Sequence, residues 1–282
     1  MTIIVGIVMV LTAVIGGYLM EHGNLALLIN PAEFFIIGGS ALGALVIASP
    51  KKVLVHTLSK LKNILSEGTA NKEAYLELLA LLFIIFSKVR KEGLISIEQD
   101  VEDPSKSAVF TKYKSLFANK TALGFICDNL KVIITTSMPT HELDELLTID
   151  IEANSHEEML PALGIQKMAD GLPGFGIVAA VMGVVLTMGK IDSPPAVLGH
   201  SIGAALVGTF LGVLLCYGFV GPIASVLELK AKEEEVYFHV IRVSLVAFVG
   251  GAAPQMAVES GRRAIPSSER PSFTELEESI RK

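Results

Sequence analysis

The stretch Leu198–Ile223, LGHSIGAALVGTFLGVLLCYGFVGPI, decides how the rest of this chain is read. It is apolar apart from His200, Ser201, Thr209, Cys216 and Tyr217, and it carries no formal charge. It exceeds the roughly 20 apolar residues that a helix needs to cross a bilayer. Its bulk is broken by Gly199, Gly203, Gly208, Gly212, Gly218 and Gly221, with Thr209 in the middle. Small residues four apart let helices approach closely in lipid, where apolar association alone supplies no drive. The segment is therefore expected to pack against other helices. It does not read as a plain lipid anchor.

Composition agrees with a membrane protein. The chain has 282 residues, 51% of them hydrophobic and only 18% charged, and its mean hydropathy is +0.57. A soluble domain of this length rarely keeps a positive hydropathy while holding 23 basic and 29 acidic residues, so the charges must be segregated. A net charge of −6 gives no basis for a nucleic-acid partner. Cys127 and Cys216 lie too far apart in sequence and setting to staple a secreted fold.

Four apolar spans are read at about Ile3–Met20, Ala32–Ala48, Leu172–Met188 and Leu198–Ile223. The first lacks the positive flank and short apolar core of a cleaved signal. The segment Glu21–Pro31 has no Lys or Arg, whereas Lys51, Lys52, Lys60 and Lys62 follow span two. Basic residues mark the cytoplasmic side. Both short turns then face outward, and the segments 51–170 and 225–282 lie in the cytoplasm.

The division expected is membrane helices 1 and 2 in 1–50, a helical cytoplasmic domain in 51–170, helices 3 and 4 in 171–224, and cytoplasmic C-terminal helices in 225–282. Helices are read near Val53–Leu65, from Ala74 to Arg90, at Phe125–Thr135 and at Thr140–Leu160, with another starting at Asp103-Pro104. Asn71 is placed to cap the second and Gly93 to stop it. The run Leu76–Phe86 is too short to span and holds Glu77, so it reads as a buried core helix. Ser225–Phe248 continues span four as a helix. Ser272-Phe273-Thr274-Glu275 has the form of a capping box. No useful strand alternation occurs. The fold class is all-α: a polytopic membrane protein with four transmembrane helices and a helical cytoplasmic domain between helices 2 and 3.

Enzyme signatures are absent. His141-Glu142 and His156-Glu157-Glu158 lack the second histidine of a zinc-binding HExxH helix. Gly38-Gly39-Ser40 lacks the setting of a nucleophile elbow, and with Gly43 these glycines read as packing positions in span two. No metal or cofactor is expected. Spans three and four hold no Asp, Glu, Lys or Arg; Asp170 precedes span three, Glu33 lies at the outer edge of span two, and His200 is near the end of span four. Ion carriers normally need an intramembrane titrating group. If this chain conducts, a partner must bring it. Thr209 offers a hydroxyl along a narrow path, against the plainer alternative of back-bonding to its own turn. Pro173 reads as a first-turn proline at the start of span three. Pro222 falls inside a continuous helix, where it removes a hydrogen bond.

The run Ala205–Leu214 with Pro222 after it resembles the signature of the MotA/ExbB/TolQ proton-channel family. Gly171–Gly183, Ser268–Phe273 and the segments Ser87–Arg90 and Ile97–Asp100 also fit, and the likeness extends from Ile3 to about Arg281. The four-span order favours its flagellar-stator branch, since ExbB and TolQ usually have three spans. The resemblance implies a homo-oligomer of five chains in the lipid of a bacterial inner membrane, arranged around a dimer of single-span MotB whose aspartate carries the ion. It also implies contact with the rotor protein FliG through Arg90 and Glu98, pore-lining positions at Thr209 and Ala180, and coupling of ion flow to movement at Pro173 and Pro222. Sodium-driven relatives tend to carry extra hydroxyls; here Ala180 and Gly208 leave Thr209 alone, so a proton is the expected ion. The competing readings are a sodium-driven stator, an ExbB/TolQ-like energiser of outer-membrane transport, and a transport or scaffold protein that does not conduct.

Overall fold

The computed structural model describes residues 2–65, 71–136 and 138–281, and every regular element among them is helical. In chain order these are α1 (Thr2–Met20), α2 (Leu25–Leu28), α3 (Pro31–Ala48), α4 (Lys51–Lys62), α5 (Lys72–Glu92), α6 (Glu98–Glu102), α7 (Lys114–Ala118), α8 (Lys120–Thr135), α9 (Thr140–Met188), α10 (Pro195–Leu214), α11 (Gly221–Val249), α12 (Pro254–Ala264) and α13 (Phe273–Arg281). One 3₁₀ turn, Leu94–Ile97, follows α5, and one π turn, Leu215–Val220, separates α10 from α11. Among the described residues, four stretches are long and apolar enough to cross a membrane: Thr2–Met20, Leu25–Ala48, Thr140–Met188 and Pro195–Val249. At 49 residues α9 is about 74 Å long, well beyond the roughly 30 Å of a hydrocarbon core.

Contacts divide the chain into two units, Met1–Ser66 with Met159–Leu229, and Glu67–Glu158 with Lys230–Lys282. In the first, α3 turns one stripe inward: Glu33, Ile37 and Ala41 recur every four residues and are all buried. Ile37 and Ala41 meet Leu172 and Ala179 of α9 and Leu211 of α10. A second cluster joins Ala162 and Ile165 of α9 to Ala224 and Leu227 of α11, with Leu61 of α4 against it. No residue of α1 is buried, and its apolar surface lies open along the whole helix.

The second unit is built on α5, whose Leu78, Leu79, Leu81, Leu82 and Phe86 are inaccessible. A helix apolar on so many sides is a core helix, as its short apolar run indicates. Tyr75 packs on Tyr237 with ring centroids 5.4 Å apart, Phe86 stacks on Phe248 at 4.3 Å, and Phe125 meets Phe238 edge-on at 5.0 Å. These geometries add to the burial energy of large rings. Asn71 caps α5 by accepting from Ala74 N at 2.9 Å. Gly93 ends it with φ +88°, a conformation that strains residues bearing a Cβ. The capping box at α13 closes reciprocally: Ser272 N donates to Glu275 Oε2 at 2.6 Å, and Glu275 N to Ser272 Oγ at 3.2 Å.

Three expectations need correction. No helix starts at Asp103-Pro104; Asp103 ends α6, and turns follow until α7. Proline disfavours helical backbone in the residue before it, which suits an ending. Pro173 is not in a first turn. The segment 161–171 between the two expected helices is itself helical, so Pro161 and Pro173 both lie inside α9. Gly38, Gly39 and Gly43 are not packing positions within this chain, because a Cβ on any of them would meet nothing within 4 Å. They lie off the Glu33–Ile37–Ala41 stripe. Glu33, expected at the outer edge of span two, lies in the first turn of α3 and is buried.

Candidate functional site: a tight helix crossing and a charged helix end

In the membrane unit, α9 and α10 cross with their backbones nearly touching. A Cβ on Gly176 would lie 2.6 Å from the Gly208 carbonyl oxygen and 3.1 Å from the Gly212 Cα. One on Gly212 would lie 2.6 Å from the Leu172 carbonyl oxygen, and one on Gly183 would meet the Ala205 Cβ at 2.6 Å. Any side chain at these glycines would drive the helices apart. The close approach is what small residues permit in lipid, and it uses Gly208 and Gly212 of span four, whereas a Cβ on Gly199 or Gly203 would meet nothing within 4 Å.

The crossing places Ala180 against Gly208, the residue before Thr209. Ala180 N would lie 3.0 Å from a Cβ on Gly208, the neighbour of Thr209. Ala180 and Thr209 are both half-buried. The Thr209 hydroxyl makes no hydrogen bond among the described residues, so it does not back-bond to its own turn. Thr187, in the same unit, does: it is buried and donates to the Gly183 carbonyl at 2.8 Å. Pro173 follows Leu172, whose carbonyl seats against Gly212. Pro222 is exposed, directly after the π turn. Its ring would collide with a carbonyl one turn back in regular helix, and a widened turn relieves that conflict.

Glu33, placed by the sequence at the outer edge of span two, has a burial that this placement does not indicate. It is 5% exposed, and its Oε2 has no hydrogen-bond partner. A Cβ on Gly208 would come within 2.6 Å of that oxygen. Its signal was present as the acidic member of the four-residue stripe with Ile37 and Ala41.

Arg90 and Glu98 are both exposed, on the last turn of α5 and the first of α6. Their segments are tied by Lys88, which donates to Asp100 Oδ2 at 2.7 Å while Ser107 Oγ donates to Oδ1 at 2.6 Å. Burial pushes the Asp100 carboxyl up, but the Lys88 and Ser107 hydrogen bonds outweigh it and hold the group below the usual range. The arrangement presents a cation and an anion on two helix ends pinned to each other. Among the described residues no group of three or more His, Cys, Asp or Glu is placed to hold a metal.

A four-span helical protein whose small-residue helices cross this closely has the build of a membrane channel rather than of a soluble enzyme. Residues 4–93 match the family described as Motility protein A N-terminal, and residues 122–239 match the MotA/TolQ/ExbB proton channel family. The chain is 43% identical over 281 residues to Motility protein A of Escherichia coli K12, covering 100% of this chain and 95% of that one. It is 36% identical to Chemotaxis protein LafT of Vibrio parahaemolyticus, covering 96% and 95%. The fold is that of the solved MotAB of C. jejuni (TM-score 0.79, 19% identity, 96% and 98% covered) and of the MotAB stator complex of Bacillus subtilis (0.76, 23%, 95% and 96%). The chain belongs to the motility protein A family of proton-channel stator subunits, a family of channels and motors rather than enzymes.

Proposed function

We propose that this chain is a flagellar stator subunit that works as a ring of five around a MotB-type dimer in the bacterial inner membrane. Its 51–170 and 225–282 segments lie in the cytoplasm, and its 171–224 helices wall the path of the ion, a proton. The observation that carries this reading is the α9–α10 crossing, which sets Ala180 beside Gly208 and leaves the Thr209 hydroxyl free of intrachain bonds. A free hydroxyl can accept and donate along a water chain, and one hydroxyl is a poor shell for sodium. No acidic side chain lies in residues 171–188 or 195–214, so the conducting carboxylate comes from the partner. The movement that proton flux drives is delivered to the rotor protein FliG through the charges of Arg90 and Glu98. Pro173 and Pro222 are the positions at which ion flow becomes movement.

The test is proton uptake by vesicles of phosphatidylethanolamine and phosphatidylglycerol under an imposed potential. The complex with its single-span partner should conduct, and this chain alone should not; uptake by the chain alone at the rate of the complex sinks the reading. Thr209→Val should lower flux without loss of assembly. Reversing Arg90 and Glu98 together should abolish swimming while leaving flux intact. Each exposed charge is worth about 1 kcal/mol or less, so single reversals are expected to be tolerated.

A further inference from the structure

Among the described residues of the membrane unit, one carboxyl that this mechanism does not use is buried. Glu33 is the third residue of α3 and falls within the apolar stretch Leu25–Ala48. It sits level with Gly208 and Ala180, and Ala180 is eight residues, about 12 Å along the helix, from the end of α9 at Met188. A buried side chain with an unpartnered oxygen is costly to keep in an apolar setting, and intramembrane acids are kept for what they do.

Its surroundings leave it unneutralised. α3 has no other titratable residue, and α9 has none from Gly171 to its end. α10 carries only His200, exposed and eight residues before Gly208. α2, which packs on α10, has none. The carboxyl has a fitted seat instead: the missing side chain of Gly208 makes the notch that admits Oε2, with the Ala179 methyl at 3.1 Å from the Cβ that Gly208 lacks. Thr209, with its free hydroxyl, is the next residue.

We propose that Glu33 is a proton-relay carboxyl of this chain, seated on Gly208 behind the Ala180–Thr209 wall. The inference rests on the proton-channel reading above. In each cycle a hydronium gives its proton to a Glu33 carboxylate oxygen and leaves as water. The neutral carboxyl then returns that proton to a water on the Thr209 side, from which it reaches the partner's carboxylate, and Glu33 is regenerated as the anion. The relay supplements the partner's group and does not replace it.

The experiment uses the complex with its single-span partner in the same vesicles, comparing wild type, Glu33→Gln and Glu33→Asp. Glutamine has the size to fill the notch but cannot carry the proton. The relay therefore requires E33Q to assemble normally and lose at least about tenfold in flux, while E33D keeps a substantial share. A packing role gives the opposite pattern, with E33Q at wild-type flux and E33D impaired, and that result overturns the proposal. If E33Q does not assemble, infrared titration of wild type and E33D decides. A protonated-carboxyl band whose frequency differs between the two supports the relay, and identical spectra overturn it. A wild-type complex without flux would sink the channel reading instead, which keeps the two failures apart.

Discussion

Cys127 shows how far burial alone sets the chemistry of a single side chain. It lies in the α8 face of the second unit's core, and burial pushes its thiol up to about 11. Thiolate is the reactive form, so at pH 7 the group is inert. In the folded complex Cys127 should resist a maleimide for hours and react promptly once denaturant is added; labelling followed by mass spectrometry reads this directly. Thr209 and Thr187 show the complementary lesson. Both are threonines in small-residue spans, and nothing in their local sequence says that Thr187 spends its hydroxyl on its own turn while Thr209 does not.

At the scale of elements, the α9–α10 crossing gives the sharpest expectations. Gly176→Leu or Gly212→Leu would put a side chain where the backbone of the opposing helix already stands. Overpacking commonly costs about 1–3 kcal/mol, and a rigid backbone neighbour allows little relief. Either variant should accumulate poorly and show no proton flux. Gly39→Ala is the control: its Cβ meets nothing within this chain, so detergent-extracted monomer should melt as wild type does. Pro222→Ala should restore a helical hydrogen bond after the π turn, and the protein should still insert and assemble. Motility should fall. Wild-type swimming by a normally inserted variant would make Pro222 a structural residue only.

Acid stability belongs to the second unit as a whole, because its peripheral helices are tied down by carboxylates. Hydrogen bonds from Arg262 and Arg263 hold the Glu259 carboxyl down, and Lys72 with the Ser272 cap holds Glu275 down to about 2. Asp100 is also below its usual range, although burial opposes the shift. All three are depressed relative to unfolded values near 3.9 for Asp and 4.3 for Glu. Their stabilising contribution is therefore complete above those values and disappears as pH falls through the folded ones. The protection factor of α13 amides, intrinsic over observed exchange rate, should stay high down to about pH 4 and then fall towards pH 2, while the α5 core remains protected longest. A protection factor in α13 that is constant from pH 6 to 2 would show that Glu275 does not hold the helix. Within the core, Leu79→Ala removes an inaccessible side chain and should cost about 2–5 kcal/mol by thermal melting of the complex.

What the sequence determined by itself follows from effects local in the chain. Uncharged apolar runs require membrane helices, Asn71, Gly93 and the Ser272–Glu275 pair fix helix ends, and the apolar run of α5 requires a buried core helix. Residue types at small spacing carry that information, and the family signature in Ala205–Leu214 is of the same kind. The tertiary structure decided what depends on the angular phase of one helix against another. It selected Gly176, Gly208 and Gly212 for the crossing and left Gly38, Gly39 and Gly43 open. It fused the segments around Pro161 and Pro173 into one long helix, which local proline rules alone would have broken. It also set the carboxyl of Glu33, at the start of α3, against Gly208 of α10. A side chain's depth and partners are set by where neighbouring helices pack, and no single segment of chain contains that information.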